Sequence, residues 1–298
     1  MNPINKHNTH IVMPFEYHQP TTIEEAVETL KKQSGAKPLA GGTDLIPKMK
    51  QKLIEPKHVV NLKKIPEMGV IEDRGDAVYI GAAVKLSEIE KSETVRRRLP
   101  LLSSCVKSIG SVQIRNMGTL GGNVCNASPA ADGALGLMAL EATVHIAGPG
   151  RKRQVEAKDL FKGPGLTVLG EDEIVTGFTV TVPTEDTGTC FIRVGRTALD
   201  ISTISIAVAL TMDGDRVKDA KIALGSVAPT PLRLLDAEKQ LKGKTLTEKL
   251  VEDTAKKVSE SIKPITDIRG TAEYRREASI GMAVEALTKA WREGRAQR

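Results

Sequence analysis

The sequence predicts an α+β chain of two domains that meet near Pro183. Before this proline, short apolar strand patterns alternate with helical patterns; after it, a run of strand patterns precedes three amphipathic helical patterns. Separate runs of strands and helices are typical of α+β folds, and 298 residues are enough for two cores. We therefore predict an N-terminal extension at 1–13 and domains at 14–184 and 185–298.

The first predicted helix begins at Thr22, a typical N-cap, and ends at Gly35. Its apolar residues recur at helical spacing: Ile23, Ala26, Val27 and Leu30. The segment KPLAGGTDL then predicts a short strand that ends in two glycines. HVVNL and VYIGAAV predict further strands, the stretch from 85 to 109 predicts interrupted helices, and GALGLMALE predicts a helix before the strand ATVHIAG. Strands and helices thus alternate through the first domain.

The second domain begins with strand patterns and ends with helical ones. EIVTGFTVTVP, which alternates apolar and polar residues up to Pro183, predicts the last strand of the first domain, and CFIRVGR predicts the first strand of the second. Two longer strand patterns meet at Asp213-Gly214, which is a strong signal for a β-hairpin. The amphipathic segments that follow are LLDAEKQLKG, LTEKLVEDTAKKVSESI and GTAEYRREASIGMAVEALTKAWRE. We predict a meander of strands followed by a helical cluster.

Composition and charge narrow the function classes. A hydrophobic content of 40%, a charged content of 27% and a net charge of +6 are typical of a globular protein with little preference for nucleic acid. The basic runs at 96–98 and 151–153 are interpreted as solvated faces. No apolar run has the length of a membrane span, and the first dozen residues lack the apolar centre of a signal peptide. We predict a cytoplasmic protein that neither binds nucleic acid nor spans a membrane.

The cysteines and histidines predict neither a disulfide nor a metal centre. Cys105, Cys125 and Cys190 are odd in number and widely spaced, which argues against a disulfide framework or an iron–sulfur loop within this chain. The histidines show no metal-ligand spacing and are interpreted as surface or structural residues: His7, His10, His18, His58 and His145. We therefore predict no metal ligand and a reducing compartment.

Two glycine-rich segments predict a site for a phosphorylated ligand. AGGTDL follows a strand pattern, and GTLGGN lies within IGSVQIRNMGTLGGNVCNASPAAD, which runs from Ile109 to Asp132. Glycine permits positive φ and close approach, and successive main-chain N–H groups then form a nest that accepts an anion. Two nests suit the two phosphates of a dinucleotide. Polar side chains nearby would add hydrogen bonds: Thr43, Thr119, Asn123, Ser128 and Asp132.

The two glycine segments also fit more ordinary structures than a ligand site. A lone Gly-Gly pair is more often a turn than a ligand loop. Neither segment has the G-x-G-x-x-G pattern or the G-x-x-x-x-G-K-[ST] pattern. The sequence therefore disfavours a nicotinamide Rossmann site and a P-loop.

Five motifs occur in order along nearly the whole chain: PFEY, LAGGTDLIPKMK, IGSVQIRNMGTLGGNVCNASPAAD, VLGEDEIVTGFTV and GTAEYRR. This set resembles the FAD-binding (medium) subunit of the molybdenum hydroxylases, of the carbon monoxide, xanthine and nicotinate dehydrogenase type. The resemblance implies an FAD-binding domain of the vanillyl-alcohol-oxidase type (PCMH) with two subdomains. A carbon-monoxide-dehydrogenase-flavoprotein C-terminal domain, with an antiparallel sheet plus helices, would follow it.

The resemblance also implies which residues hold FAD. In the family the diphosphate lies between the two glycine loops, and single residues elsewhere contact the rest of the cofactor. Carried over position by position, and with Ser128 added as a hydrogen-bonding side chain, the predicted cofactor contacts are Lys37, Pro38, Leu39, Ala40, Gly41, Gly42, Thr43, Asp44, Ile109, Thr119, Leu120, Gly121, Gly122, Asn123, Ser128, Asp132, Val168, Leu169 and Arg193. No side chain is predicted to be catalytic.

The sequence departs from many relatives beside Asp200. Gly195 and Ile201 stand where relatives commonly have a basic residue and an aromatic residue. The resemblance therefore implies that the flavin edge is more open here, or differently gated.

The function that the resemblance implies is that of an electron conduit. Substrate would be oxidised at a molybdenum–pterin centre on a large partner subunit, and electrons would pass through [2Fe–2S] clusters on a small subunit to FAD in this chain. The expected complex is a heterotrimer, single or doubled. NAD, a quinone, a ferredoxin and oxygen all remain open as acceptors.

Two alternative functions remain open. A stand-alone FAD oxidoreductase of the same flavin fold, similar to the cell-wall UDP-MurNAc dehydrogenases, would need a substrate-binding third domain that the sequence does not show. A non-enzymatic nucleotide-binding scaffold would use the same loops without a redox role. Folded but colourless protein would identify the scaffold.

Overall fold

A computed structural model describes residues 12–296 of the chain. The predicted N-terminal extension, residues 1–13, therefore lies almost entirely outside the described residues. The first domain opens with a small parallel sheet and two helices, which in chain order are β1 (Glu16–His18), α1 (Ile23–Lys32), β2 (Lys37–Leu39), α2 (Leu45–Lys50) and β3 (His58–Asn61). The strand order is β1-β3-β2, so that β3 lies between the other two strands.

Helix α1 forms where the sequence predicts it. Thr22 Oγ1 accepts a hydrogen bond from the amide of Glu25 at 3.1 Å, which satisfies one of the free donors of the first turn. One face of the helix is buried, and it carries Ile23, Ala26, Val27 and Leu30. The predicted cap and the predicted apolar face are therefore confirmed.

A larger antiparallel sheet and a series of short helices complete the first domain. In chain order the elements are β4 (Ile71–Asp73), β5 (Ala77–Gly81), α3 (Leu86–Lys91), α4 (Glu93–Arg98), α5 (Pro100–Lys107), α6 (Val112–Met117), α7 (Leu120–Cys125), α8 (Asp132–Ala139), β6 (Thr143–Gly148), β7 (Arg151–Glu156), β8 (Phe161–Gly163), β9 (Leu166–Thr167) and β10 (Ile174–Thr181). The large sheet has the order β4-β5-β10-β6-β7, and β8 pairs with β9 in a separate hairpin. All the helices from α3 to α8 follow β5 and precede β6, so the second glycine segment lies in a helical insertion.

The second domain is an antiparallel sheet followed by helices. Its elements are β11 (Thr187–Val194), β12 (Ile204–Asp213), β13 (Arg216–Gly225), β14 (Leu232–Arg233), α9 (Leu235–Leu241), α10 (Glu248–Ser261) and α11 (Ala272–Ala296). The strands are ordered β11-β12-β13-β14. The predicted hairpin at Asp213-Gly214 is confirmed, with Gly214 at a φ of +60°.

The sheet of the second domain is buried on both faces, and side-chain size differs between them. On β12, Ile206 and Val208 belong to the core that this sheet forms with its own helices. Ala207 and Ala209 alternate with them and join the core of the first domain. Alanines therefore let the first domain pack closely on one face while large aliphatic side chains fill the other. The predicted α+β class is confirmed. Among residues 12–296, no helix combines the length and the apolarity that a bilayer span needs.

Candidate cofactor cleft

A cleft of about 430 Å³ lies between the small parallel sheet and the large antiparallel sheet of the first domain. This volume is within the range of sites for small molecules and cofactors, about 300–1,000 Å³. Both glycine segments line it. The predicted contacts that the structure brings to the cleft wall are Lys37, Pro38, Ala40, Gly41, Gly42, Thr43, Asp44, Ile109, Thr119, Gly121, Gly122, Asn123 and Leu169.

The first glycine loop, residues 40–44, touches the second segment through the main chain. A Cβ atom at Gly41 would lie 2.3 Å from the carbonyl oxygen of Met117 and 2.6 Å from the Cα atom of Gly118. Only glycine permits this approach of two backbones. Gly42 has a φ of +75°, in the left-handed region that favours glycine. The first loop and the second glycine segment are therefore in direct main-chain contact.

The main-chain donors of the first loop are available to a ligand. Within residues 12–296, the amides of Gly41, Gly42 and Thr43 make no hydrogen bond to a protein acceptor. These successive N–H groups stand at the wall of the cleft. A phosphate oxygen accepts such N–H groups without needing a lysine. The first loop therefore has the open donors predicted for a nest.

The main-chain donors of the second loop are already used. The amides of Leu120 and Gly121 donate to the carbonyl oxygens of Val84 and Ala82, at 3.2 and 2.9 Å. The amide of Gly122 donates to Thr119 Oγ1 at 3.0 Å, because Thr119 is the N-cap of α7. The amide of Asn123 donates to the carbonyl oxygen of Thr119 at 2.9 Å. The prediction of a second open nest is therefore wrong: residues 119–123 begin a capped helix.

The glycines of the second loop make room for packing. A Cβ atom at Gly121 would lie 2.6 Å from both the Cβ atom and the carbonyl oxygen of Ala82. The second loop is thereby pressed against the segment that follows β5. The second loop also carries one side chain with an unsatisfied polar atom. Asn123 Oδ1 is buried and has no hydrogen-bond partner among the described residues, so it is an acceptor in need of a donor.

A polar bridge that the sequence reading missed joins the two loops. Lys48 Nζ, on α2, donates to Asn126 Oδ1 at 2.7 Å, and Asn126 Nδ2 donates to Asp44 Oδ1 at 3.1 Å. All three residues line the cleft. The bridge therefore links the Lys48 ammonium group through Asn126 to Asp44, the last residue of the first loop. No local sequence pattern marks it, because Asn126 lies far along the chain from the other two residues.

A buried arginine, also missed, holds the wall around Ile109. Arg115 donates through Nη1 to the carbonyl oxygens of Ile109 and Gly110, at 3.2 and 3.1 Å, and through Nε to Glu90 Oε2 at 2.7 Å. Gly110 has a φ of +53°, so the chain turns sharply here. The guanidinium satisfies the carbonyl groups of this turn and presents Ile109 to the cleft. The signal for it was an arginine within a segment of small residues.

The structure does not bring the remaining predicted contacts to the cleft wall. Asp132 is buried at the junction of the domains, where it accepts hydrogen bonds from the hydroxyls of Ser202 at 2.9 Å and Ser205 at 2.8 Å. Burial raises the pKa of this carboxyl despite these hydrogen bonds. Arg193 donates to the carbonyl oxygen of Ser108 at 3.0 Å and so also joins the two domains.

Four more predicted contacts lie outside the lining. Leu39 and Leu120 pack beside it, and Leu120 is fully buried in the core. Ser128 Oγ accepts from the amide of Ala130 at 3.2 Å, and the Val168 carbonyl oxygen accepts from Arg153 at 3.0 Å. The role of these residues, and of Asp132 and Arg193, in holding the cofactor stays a prediction.

Two titratable side chains at the cleft wall, Cys125 and Glu173, have strongly shifted pKa values. Burial raises the pKa of the Cys125 thiol to about 12, so this residue is a thiol at neutral pH. Hydrogen bonds from Arg153 hold the pKa of Glu173 at about 2. Both Glu173 carboxylate oxygens are used by that arginine, at 2.9 and 2.7 Å. Neither the Cys125 thiol nor the Glu173 carboxylate is therefore a candidate acid or base at neutral pH.

The fold and the cleft define a two-domain protein that holds a dinucleotide cofactor. Residues 13–185 match the family model of the FAD binding domain in molybdopterin dehydrogenase, and residues 190–290 match that of the CO dehydrogenase flavoprotein C-terminal domain. The chain therefore belongs to the family of FAD-binding subunits of molybdenum hydroxylases, and it is the FAD-dependent subunit of an oxidoreductase.

Relatives match this chain over nearly their whole length. The glyceraldehyde dehydrogenase medium chain of Sulfolobus acidocaldarius is 36% identical over 273 residues, which cover 92% of this chain and 97% of the relative. The carbon monoxide dehydrogenase medium chain of Hydrogenophaga pseudoflava is 36% identical over 278 residues, 93% and 97% of the two chains. A solved structure of that carbon monoxide dehydrogenase, which lacks the Mo-pyranopterin moiety, superposes with a TM-score of 0.93 and 36% identity over 95% of this chain and 99% of that one.

The residues of the cleft fit FAD. The open amides of the first loop suit a pyrophosphate, and Asn123, whose Oδ1 has no partner among the described residues, adds a side-chain amide to the same lining. Apolar residues of the lining suit a flat ring: Leu62, Met68, Ile109, Leu169, Ile174 and Val175. The predicted cofactor is therefore consistent with the donors, the acceptor and the apolar surface that the cleft presents.

Proposed function

We propose that this chain is the electron-transfer subunit of a three-part molybdenum hydroxylase. It accepts electrons from [2Fe–2S] clusters on a small partner subunit, which receives them from a molybdenum–pterin centre on a large one, and delivers them to an external acceptor such as NAD or a quinone. When bound, FAD exchanges electrons singly with one-electron carriers and in pairs with two-electron acceptors.

One observation carries the assignment of the cleft. Gly41, Gly42 and Thr43, whose amides are open, and Asn123, whose Oδ1 has no partner among the described residues, line one cavity together. Unpaired donors and an unpaired buried acceptor raise the free energy of the folded protein unless a ligand satisfies them. We propose that the first loop holds the pyrophosphate and that Asn123 holds a cofactor hydroxyl.

The remaining wall residues position the cofactor and exclude water. Arg115 fixes the turn that presents Ile109, and the Lys48–Asn126–Asp44 bridge keeps α2 and α7 at one spacing. No wall residue is assigned a proton-transfer step. The chain binds the cofactor, orients it and shields it from water.

An exposed apolar surface beside the cleft supports a partner subunit. Val112, Ile114 and Met117 on α6 are 58%, 39% and 52% exposed, and Ile114 also lines the cleft. Adjacent exposed apolar side chains are typical of protein contact surfaces. A partner bound there would lie next to the cofactor.

We place the division between the two functional domains at 184/185. The first family match ends at residue 185 and the second begins at residue 190, and the core that the second sheet forms with its own helices contains only residues after this linker. The first domain carries FAD. The second packs its alanine-rich face on α5 and α8 and braces the cofactor domain.

The test is to purify the chain alone and in complex with the partners encoded beside it. We expect yellow protein with one FAD per chain, at most dye- or NADH-linked reduction when alone, and substrate oxidation only in a complex that contains iron and molybdenum. Folded but colourless protein would contradict the assignment of FAD. Turnover of a substrate by the isolated chain would contradict the conduit role and favour a stand-alone oxidoreductase.

A further inference from the structure

Two histidines and a glutamate converge where the edge strand β1 pairs with the central strand β3 of the small parallel sheet. Glu16 and His18 are two residues apart on β1 and so lie on one face of the strand. Glu16 pairs in register with His58, the first residue of β3. His18 Nε2 lies 3.1 Å from His58 Nδ1, and Glu16 Oε2 lies 3.4 Å from the same nitrogen. One ligand atom from each residue lies within 4.8 Å of the other two.

These separations suit a tetrahedral metal ion. Zinc binds imidazole nitrogen and carboxylate oxygen at about 2.0–2.2 Å, so two of its ligand atoms lie about 3.3–3.6 Å apart. The observed 3.1 and 3.4 Å are close to this spacing. Two imidazoles and one carboxylate form a donor set that Zn²⁺ prefers, with a fourth position left for water.

The surroundings of the cluster allow an ion to enter and to be held. The His58 side chain is 17% exposed and is fixed by the sheet, whereas the Glu16 side chain is 73% exposed and free to close on an ion. None of the three residues lines the cofactor cleft. The cluster is therefore separate from the FAD site.

We propose that Glu16, His18 and His58 bind one Zn²⁺ ion that fastens β1 to β3. Strand β1 has three residues and lies at the edge of its sheet, where β3 is its one partner among residues 12–296. An ion bound by ligands from both strands cross-links β1 to β3. It stabilises the folded state, because the ligands come together only when the chain is folded.

The test uses the full-length chain with FAD bound, stripped of metal with a chelator and titrated with Zn²⁺ against a chromophoric competitor. The expected result is one Zn²⁺ per chain and a higher midpoint of thermal unfolding with zinc than without. His18→Gln and His58→Gln should each weaken Zn²⁺ binding by about tenfold or more and abolish the zinc-dependent rise.

Matched controls separate this site from other imidazoles. His145→Gln should keep wild-type zinc affinity, because His145 contacts Thr179 Oγ1 at 2.7 Å and lies outside the cluster. All titrations are repeated in a His7→Gln/His10→Gln background, which removes the imidazoles that precede the described residues.

The proposal fails if wild-type protein does not compete for zinc. It also fails if both histidine variants bind zinc as tightly as wild type. The cluster would then consist only of a hydrogen bond between the two imidazole rings and an ion pair with Glu16. If a histidine variant loses FAD or does not fold, the exposed Glu16→Gln variant decides instead. It should weaken zinc binding while keeping the metal-free unfolding midpoint.

Discussion

The two glycine loops look alike in sequence but do different work in the structure. In the first, Gly41 and Gly42 leave their amides open at the wall of the cleft. In the second, Gly121 and Gly122 donate their amides to protein acceptors, and Gly121 has no side chain because Ala82 fills that space. A glycine can thus present a donor, permit close packing or, as Gly41 does, combine both roles, and mutations at Gly42 and Gly121 test the two roles separately.

Gly121→Val should have the largest effect on the fold. Its Cβ would overlap the backbone oxygen and the Cβ of Ala82, so we expect a loss of about 3 kcal/mol or more in the free energy of unfolding of the apoprotein. Urea unfolding measures it. Gly69→Val is the control, since nothing lies within 4 Å of a Cβ at Gly69. Equal stability of the two variants would contradict the packing role.

Gly42→Ala should act mainly on the cofactor. Its Cβ would meet only side chains, Leu39 Cδ1 at 3.2 Å and Ile46 Cγ1 at 3.3 Å, but the φ of +75° costs an alanine about 1–2 kcal/mol and displaces the amides. We expect FAD to bind at least about tenfold more weakly, because hydrogen bonds to a charged group contribute about 1.5–3 kcal/mol. Equilibrium titration of apoprotein with FAD measures this.

Gly35→Ala is the matched control for that variant. Gly35 has the same φ of +75°, and nothing lies within 4 Å of a Cβ there. It should lose a similar amount of stability and keep wild-type affinity for FAD. If both variants bind FAD equally well, the first loop is only a turn.

Asn123→Ala sharpens the comparison within the second loop. The variant removes a buried acceptor that has no partner among the described residues, so the apoprotein should unfold at nearly the wild-type free energy. FAD affinity should fall by about 5–30-fold, which corresponds to about 1–2 kcal/mol for one lost hydrogen bond. A loss of apoprotein stability with unchanged affinity would assign Asn123 to the fold instead.

Asp132→Asn gives the smallest effect and concerns a residue outside both loops. Burial raises the pKa of Asp132 in the folded state, so this carboxyl contributes stability below its unfolded pKa of about 3.9 and loses it as the pH rises through the folded value. Wild type should therefore lose stability relative to Asp132→Asn between pH 4 and pH 7 in urea unfolding. A relative gain over that window would show that the ionised form is the stabilised one.

Local sequence patterns predicted the helices and turns well, because the interactions that begin and end these elements involve residues close together in the chain. The Thr22 cap and the Asp213-Gly214 turn depend on neighbours within a few residues, and both formed as predicted. The contact of Gly121 with Ala82 depends on how distant segments meet, and so does the meeting of His18 with His58. Long-range contacts of this kind decided which amides stayed open, and the sequence alone carried no sign of them.

Hydrogen exchange of the main-chain amides, followed by mass spectrometry with and without FAD, tests the central claim most directly. In the apoprotein, residues 41–43 should exchange rapidly and residues 120–123 slowly, since only the latter donate to protein acceptors. FAD should slow exchange at 41–43 by about tenfold or more and leave 120–123 nearly unchanged. Protection that FAD adds only at 120–123, with 41–43 still exchanging rapidly, would contradict the account.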